Sequence, residues 1–420
     1  MLSWSDVVPR FGSSYDLTGD GKTALKVSIN KYVNAAGLQG IYGDTGNPVN
    51  RLANFVTRTW IDNGNWKPDC DLTSVAAQDN RAKGGDLCGV VSDPNFGKPI
   101  ASLNYDPDTL TGWGHRPYQW EFSTAVQREL RQGLSVDVGF FRRWYGNFGV
   151  ADNLNVTGDD YTRFSVPAPA DPRLPNGGGY QIAGFVNLTP AAATRGQNNQ
   201  FRLASNYGKW TQQWNGLDFN VNSRAARGLT INAGLSTGAQ SQNSCEVTAQ
   251  VPEAGVPTAV YPAATTLINT PFCDQQDPWL TSGKVTATYL IPKSRGVQVS
   301  ALFFSNPGPN LQAQKVYTNA EVKGSLGRDL SANAQNITLN LIAPDAYVGD
   351  RRNQLDLRFT KLFTFNKTRF GANFELYNAT NSNAVLTEGT TYVSSAVNGW
   401  RVPQTILTPR FIKLSMQLDF

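Results

Sequence analysis

Across 420 residues the chain has one histidine, two methionines and four cysteines, and only 16% of it is charged. Each scarcity closes a class of function. The lone His115 lies in Trp113-Gly-His-Arg-Pro-Tyr118, a loop-like stretch before a strand, and no Gly-x-Ser-x-Gly elbow supports a nucleophilic triad. The absence of any C-x-x-C pair argues against zinc. No run of about 18 apolar residues occurs, so no transmembrane helix is expected. Lys and Arg outnumber Asp and Glu by 37 to 32, but no five or six bases cluster, and nucleic acid is not expected as a partner. Acidic pairs such as Asp159-Asp160 lack a second carboxylate at an arguable spacing. Gly19-Asp-Gly-Lys-Thr23 imitates a phosphate loop, yet Asp16 stands where the pattern needs glycine, so it reads as a hairpin turn. No enzyme activity, cofactor or metal site is expected.

What the chain has in quantity is alternation. Aromatics reach 11%, and there are 39 glycines. Leu25, Val27 and Ile29 oppose Lys26, Ser28 and Asn30. Leu134, Val136, Val138 and Phe140 oppose Ser135, Asp137 and Gly139. Leu217, Phe219 and Val221 oppose Asp218, Asn220 and Asn222, and Leu355, Leu357 and Phe359 oppose Gln354, Asp356 and Arg358. A helix would scatter these side chains around its circumference; a strand puts one set on each face. The final residues repeat the pattern: Ile412, Leu414, Met416, Leu418 and Phe420 alternate with Lys413, Ser415, Gln417 and Asp419.

Connections alternate too. Short turns are expected at Thr18–Gly21, Arg131–Gly133, Ala226–Gly228, Pro292–Arg295 and Thr364–Thr368, and long loops at roughly 62–116, 148–206, 238–278 and 379–407. Short turns at one rim and long loops at the other are the layout of an outer-membrane barrel, whose apolar face meets lipid. The mean hydropathy of −0.35 is compatible with it, because alternate residues face water. The expectation is therefore all-β: a transmembrane antiparallel up-and-down β-barrel with about 14 strands here, extending over residues 1–420 and located in the cell outer membrane of a Gram-negative organism. A soluble β-sandwich alternates as well but has shorter loops.

Cys70 with Cys88 and Cys245 with Cys273 form two local pairs in long polar stretches, which points to disulfides of an oxidising compartment. Asp62, Asn65, Asp69 and Asp71 are spaced loosely like a calcium loop, in a register that does not fit an EF-hand; a disulfide-pinned polar loop is the simpler reading. Aromatics near strand ends, among them Trp120, Phe140, Trp144, Phe148, Trp210 and Trp214, are expected mostly in the interfacial girdles.

Asn353-Gln-Leu-Asp-Leu-Arg-Phe-Thr-Lys361, then Thr368-Arg-Phe-Gly-Ala-Asn-Phe-Glu-Leu-Tyr-Asn-Ala-Thr-Asn381, and the closing strand to Phe420 together resemble the C-terminal end of TonB-dependent outer-membrane receptors. The likeness is to the subgroup with a carboxypeptidase-regulatory-like domain before its plug. Pro9–Asp16, Val136–Asn147 and Asp171-Pro-Arg-Leu-Pro-Asn-Gly177 are similar to its barrel segments. The resemblance implies a sector of a 22-strand barrel of the plugged transporter type. It also implies active uptake of a large ligand such as an iron chelate, cobalamin or an oligosaccharide. The plug and the TonB complex, reached through an N-terminal part, would be partners together with lipid and the outer-membrane assembly machinery. Met1–Arg10 lacks a secretory leader, so a C-terminal piece of a longer receptor is expected. In this frame Ile412, Leu414, Met416 and Leu418 face lipid and Phe420 serves assembly. Asp137, Asp218, Asn220, Asp356, Arg358, Asn373 and Glu375 face the lumen. The alternative is a passive pore or surface-binding barrel without energy coupling.

Overall fold

A computed structural model defines the fold and describes residues 2–35, 52, 55–92, 96–98, 104–195, 198–254, 270–332, 334–343, 346–365, 368–393 and 399–419. Eleven strands follow one another along the chain: β1 (Arg10–Asp16), β2 (Thr23–Val33), β3 (Tyr118–Arg131), β4 (Leu134–Gly146), β5 (Thr211–Ala226), β6 (Leu229–Asn243), β7 (Leu280–Leu290), β8 (Val297–Asn306), β9 (Arg352–Phe365), β10 (Thr368–Tyr377) and β11 (Phe411–Asp419). Each pairs antiparallel with the next, and a three-residue strand at Asp274–Gln276 added to β6 makes the sheet twelve-stranded. The all-β meander is as expected, with twelve strands against about 14. Short ladders such as Gln314–Thr318 with Asn336–Asn340 share the two-residue period but lie off the wall, so their sequence reads like wall strands.

All five expected turns separate consecutive wall strands, joining β1–β2, β3–β4, β5–β6, β7–β8 and β9–β10; residues 366 and 367 of the last lie outside the described residues. At Thr18–Gly21 the reason is local. Gly19 and Gly21 take φ of 73° and 74°, and the Asp16 carboxylate accepts from the Gly21 and Thr18 N–H groups at 2.7 and 3.2 Å. The other rim carries five long connections: 34–117, 147–210, 244–279, 307–351 and 378–410. The fourth was not among the expected loops; its Ile337 and Leu339 alternate with Asn336, Thr338 and Asn340 as a wall strand would.

Register turns the sequence alternation into two continuous surfaces. Leu25, Val126, Val138, Phe219 and Leu235 stand opposite one another across five strands, and Leu229, Tyr289, Val299, Phe359, Phe374 and Leu414 across six. Most of these side chains are exposed. The two buried hydrophobic clusters draw on the long connections and the strand ends beside them, so among the described residues no second layer covers the wall's apolar face. Leaving a large apolar side chain in water forfeits about 1.5–3 kcal/mol, so a face with this many needs an apolar environment.

The long connections instead make their own core. Phe164, Val166, Leu174 and Phe185 of the second, Tyr317, Val322, Leu339 and Leu341 of the fourth, and Tyr392 and Trp400 of the fifth pack as one cluster. Polar bolts cross it: Tyr317 donates to the Pro167 carbonyl at 2.8 Å, Tyr180 to that of Leu341 at 2.9 Å, and Trp400 Nε1 to that of Gln312 at 2.6 Å. Phe148 and Trp210 stack at 4.0 Å with Val247 in a second cluster; both are buried, not interfacial as their position near strand ends suggested. Both disulfides, Cys70–Cys88 and Cys245–Cys273, are formed.

The second disulfide closes the third connection beside the Ser244 N–H to Cys273 carbonyl bond at 2.9 Å. Replacing both Cys245 and Cys273 with Ser should cost that connection about 2–4 kcal/mol of local stability. Hydrogen exchange read by mass spectrometry should speed up across 244–254 and 270–279 and stay unchanged in β9–β11.

Candidate functional site

The sheet's polar face is the candidate site. Period-two register brings Asp137, Asp218 and Asn220 together around one hollow of about 890 Å³, which Gln127, Asn222 and Lys284 also line. Asn220 Nδ2 donates to Asp137 Oδ1 at 3.4 Å across β4–β5. The sequence pattern placed the first three; Lys284 on β7 was missed because Lys284-Val-Thr-Ala-Thr288 alternates only weakly in polarity.

Two more predicted residues meet farther along the wall, joined by Lys413. Arg358, Glu375 and Lys413 are register partners across β9, β10 and β11. The Arg358 guanidinium donates to the Glu375 carboxylate, which also lies 3.6 Å from Lys413 Nζ and is 2% exposed. One pleat on, Thr360 Oγ1 donates to Asn373 Oδ1 at 2.7 Å, and Asn373 Nδ2 donates to Ser415 Oγ at 3.3 Å. Asp356 shares this face but is spent locally: it accepts from the Asn378 N–H at 2.8 Å and from Gln354 Nε2 at 2.9 Å. These rows offer fixed donors, acceptors and opposed charges to water or a polypeptide. None pairs a nucleophile with a base.

On the opposite face Ile412, Leu414, Met416 and Leu418 are 59, 76, 79 and 58% exposed. Phe420 lies outside the described residues.

Above the wall, one clasp ties the second connection to the fifth. Asp171 Oδ2 accepts from Arg173 Nη2 at 2.6 Å and from the Tyr392 hydroxyl at 2.9 Å, and Arg173 lies 5.6 Å over the Trp400 ring. The Arg173 guanidinium holds the Asp171 carboxyl well below the ordinary carboxylate range, and burial pushes the Tyr392 hydroxyl up. The Asp171–Gly177 segment was conspicuous in the sequence, but nothing there paired it with a residue 221 positions away.

The calcium-like residues are engaged within their own loop. Asp62 accepts from the Gly64 and Trp66 N–H groups, Asp69 from the Asn63 and Asn65 amides, and Asp71 from Thr73. Fully buried Asp86 accepts from Trp60 Nε1 and from the Asn63 and Asp69 N–H groups at 2.8–2.9 Å; these donors hold its carboxyl low. Among the described residues no three His, Cys, Asp or Glu side chains group as a metal set.

No protein-family model and no curated protein matches this chain. Among solved structures it is similar to the outer membrane transporter YddB from Escherichia coli, with TM-score 0.43, 10% identity, and coverage of 96% of this chain and 39% of that one. It is also similar to the pyoverdine outer membrane receptor FpvA from Pseudomonas aeruginosa bound to pyoverdine, with TM-score 0.39, 10% identity, and 98% and 36% coverage. The Pseudomonas putida toluene transporter TodX aligns at TM-score 0.24 and 7% identity, with 98% and 73% coverage. The chain spans little more than a third of the first two. At these scores the reading of the fold rests on the sheet topology itself.

Two outcomes follow from these geometries. Glu375→Ala removes the acceptor that two half-exposed cations share and should cost up to about 1 kcal/mol, with Glu375→Gln milder, measured by urea unfolding in detergent. The clasp has a pH signature. Because the folded Asp171 carboxyl is depressed, its contribution is present above the unfolded value of about 4 and is lost as pH falls below it. Protease protection of 171–177 and 388–393 should hold at pH 5 and decline below pH 4, and Asp171→Asn should abolish that dependence.

Proposed function

We propose that this chain forms part of the wall of an outer-membrane importer of the TonB-dependent type, which takes up a large ligand such as an iron chelate, cobalamin or an oligosaccharide. The observation that carries the reading is a one-layer antiparallel wall with an uncovered apolar face, a polar face of paired charges, tight turns at one rim and a packed cap at the other. Lipid is the apolar partner that fits the first face. A water-filled lumen, or a plug carrying complementary hydrogen-bonding groups, fits the second.

Strand parity extends the proposal. Eleven successive antiparallel strands leave β1 and β11 running in the same direction, with no pairing between them. Closing the sheet on itself would need a parallel pair at the seam. An all-antiparallel barrel needs an odd number of further strands, and eleven more would give the 22-strand wall of a plugged transporter. Unpaired edges are not tolerated in hydrocarbon, so we assign the completion of the barrel to additional strands beside β1 and β11.

Sequencing the transcript upstream of the Met1 codon tests the completion: an in-frame plug and further strands support it, and a nearby stop codon removes it. The energy coupling is tested by deleting the gene in its native host and following uptake of labelled ferric chelates, cobalamin and oligosaccharides. Import requires that the deletion abolish uptake of one of them and that a protonophore do the same in the intact strain; uptake that survives the protonophore identifies a passive pore. For the facing, Leu414→Arg should cost about 2–4 kcal/mol near the bilayer midplane and reduce the folded, membrane-inserted fraction. Wild-type insertion of that variant would reverse the assignment.

A further inference from the structure

The short-turn rim carries a feature that import does not require. Between the β5–β6 turn, the β7–β8 turn and the end of β9 lies a hollow of about 920 Å³ lined by Arg227, Lys293, Arg295 and Lys361, and none of its described lining residues is acidic. Arg369, on β10, also lines it; the four other cations come from the two turns and from β9.

The cations are held in place by the way the turns lock together. The Leu290 N–H donates to the Gly228 carbonyl at 2.7 Å, and the Leu362 N–H to that of Gly296 at 2.8 Å. A Cβ at either glycine would sit 2.3 Å from the Leu290 carbonyl oxygen or 2.7 Å from that of Leu362, so the turns can approach this closely only as glycine. Lys293 and Arg295 both take left-handed backbone, with φ of 62° and 56°, an uncommon conformation for long side chains. Ser294 clamps the turn between them, donating to the Ile291 carbonyl at 2.6 Å and accepting from the Val297 N–H at 2.9 Å. Lys361 Nζ donates only to neutral acceptors here, the Ser294 and Arg295 carbonyls at 3.2 and 2.8 Å.

The same hollow is half apolar. Exposed Phe363 and Leu290 line it. The Phe363 ring lies 5.7 Å from Lys361 Nζ and contacts Phe370 at 5.8 Å between centroids. From there the apolar face climbs to the Phe359–Phe374 pair, at 6.1 Å, and to Leu414. Cations at the rim with an apolar stripe rising from them match a phosphate headgroup whose acyl chains lie along the wall.

We propose that this hollow is a binding site for the phosphate headgroup of an anionic phospholipid in the leaflet at the short-turn rim. The proposal rests on the apolar face being lipid-facing. It commits to lipid over a soluble phosphate because the apolar lining continues into the exposed strand face.

The test is native mass spectrometry of the full chain in a neutral detergent, titrated with phosphatidylglycerol, with phosphatidylcholine of the same acyl chains, or with inorganic phosphate. The expected result is selective retention of phosphatidylglycerol, weakening as salt rises. Each cation replaced in the Arg227→Gln, Lys293→Gln and Arg295→Gln series should reduce that preference about fivefold, the equivalent of ~1 kcal/mol per base near an anionic surface. Arg142→Gln, toward the opposite rim, should leave it unchanged. Should the triple variant fail to fold, Arg295→Gln alone and the salt dependence of the unsubstituted chain distinguish the same outcomes. Equal retention of both lipids would overturn the headgroup site while leaving the membrane reading standing. Retention of neither would overturn both. Displacement by inorganic phosphate at equal concentration would make it a soluble-anion site and overturn the lipid assignment.

Discussion

Backbone pairing in a single layer is the constraint on which this structure depends. A soluble sheet buries one face against a second sheet or helices, and its strands are stabilised by what lies across from them. Here, among the described residues, wall strands are covered on neither face and pair only along their edges, so the antiparallel ladder and the cross-strand rows carry the wall. Sustaining that over eleven strands requires a strict two-residue period, because a one-residue slip would exchange the faces of an entire strand. The Leu229-to-Leu414 row and the row containing Arg358, Glu375 and Lys413 are two sides of the same register. Neither could exist without the other.

That dependence explains what the sequence reveals and what it conceals. Wall strands such as β2, β4, β5, β9 and β11 and all five turns are legible because their causes are local: alternation within ten residues, and turn-forming residues within five. That Asp137 with Asn220, and Arg358 with Glu375, share one face of the sheet follows from parity and register. Both cysteine pairs are close in sequence, and local pairing is how they fold. The cap is illegible for the opposite reason. Ile337 and Leu339 obey the same alternation as a wall strand, and only the cluster they share with Phe164 and Phe185, more than 130 positions away, reveals that they fill a core. Phe148 and Trp210 mislead in a related way: an aromatic near a strand end suits either a lipid interface or a loop core, and stacking with each other beside Val247 decides it.

The two rims follow different rules of construction. At the short-turn rim each connection closes within six residues or fewer, so adjacent turns are locked to one another through backbone hydrogen bonds at Gly228 and Gly296. At the other rim three connections pool their apolar residues into one core and are tied by the Asp171, Arg173 and Tyr392 clasp. The cap is thus held by burial and by charge-assisted hydrogen bonds, and the wall by register. Protonation of Asp171 loosens the first, whereas the backbone hydrogen bonds of the ladder contain no titratable group.

This division gives the cap and the polar face different mechanical character. A cap with its own hydrophobic core is a rigid presenting surface, since interiors of this kind are close-packed and resist small deformations. The polar face beneath it differs: Asp137, Asp218 and Lys284 surround an open hollow in which only the weak Asn220–Asp137 bond, at 3.4 Å, spans two of the predicted residues. Side chains left with spare hydrogen-bonding capacity beside water can exchange partners at little cost, because each lost bond is replaced by one to solvent. A close-packed cap above a face of exchangeable polar partners sets a fixed surface and an adaptable one on one chain, the division of labour that the proposed import would use.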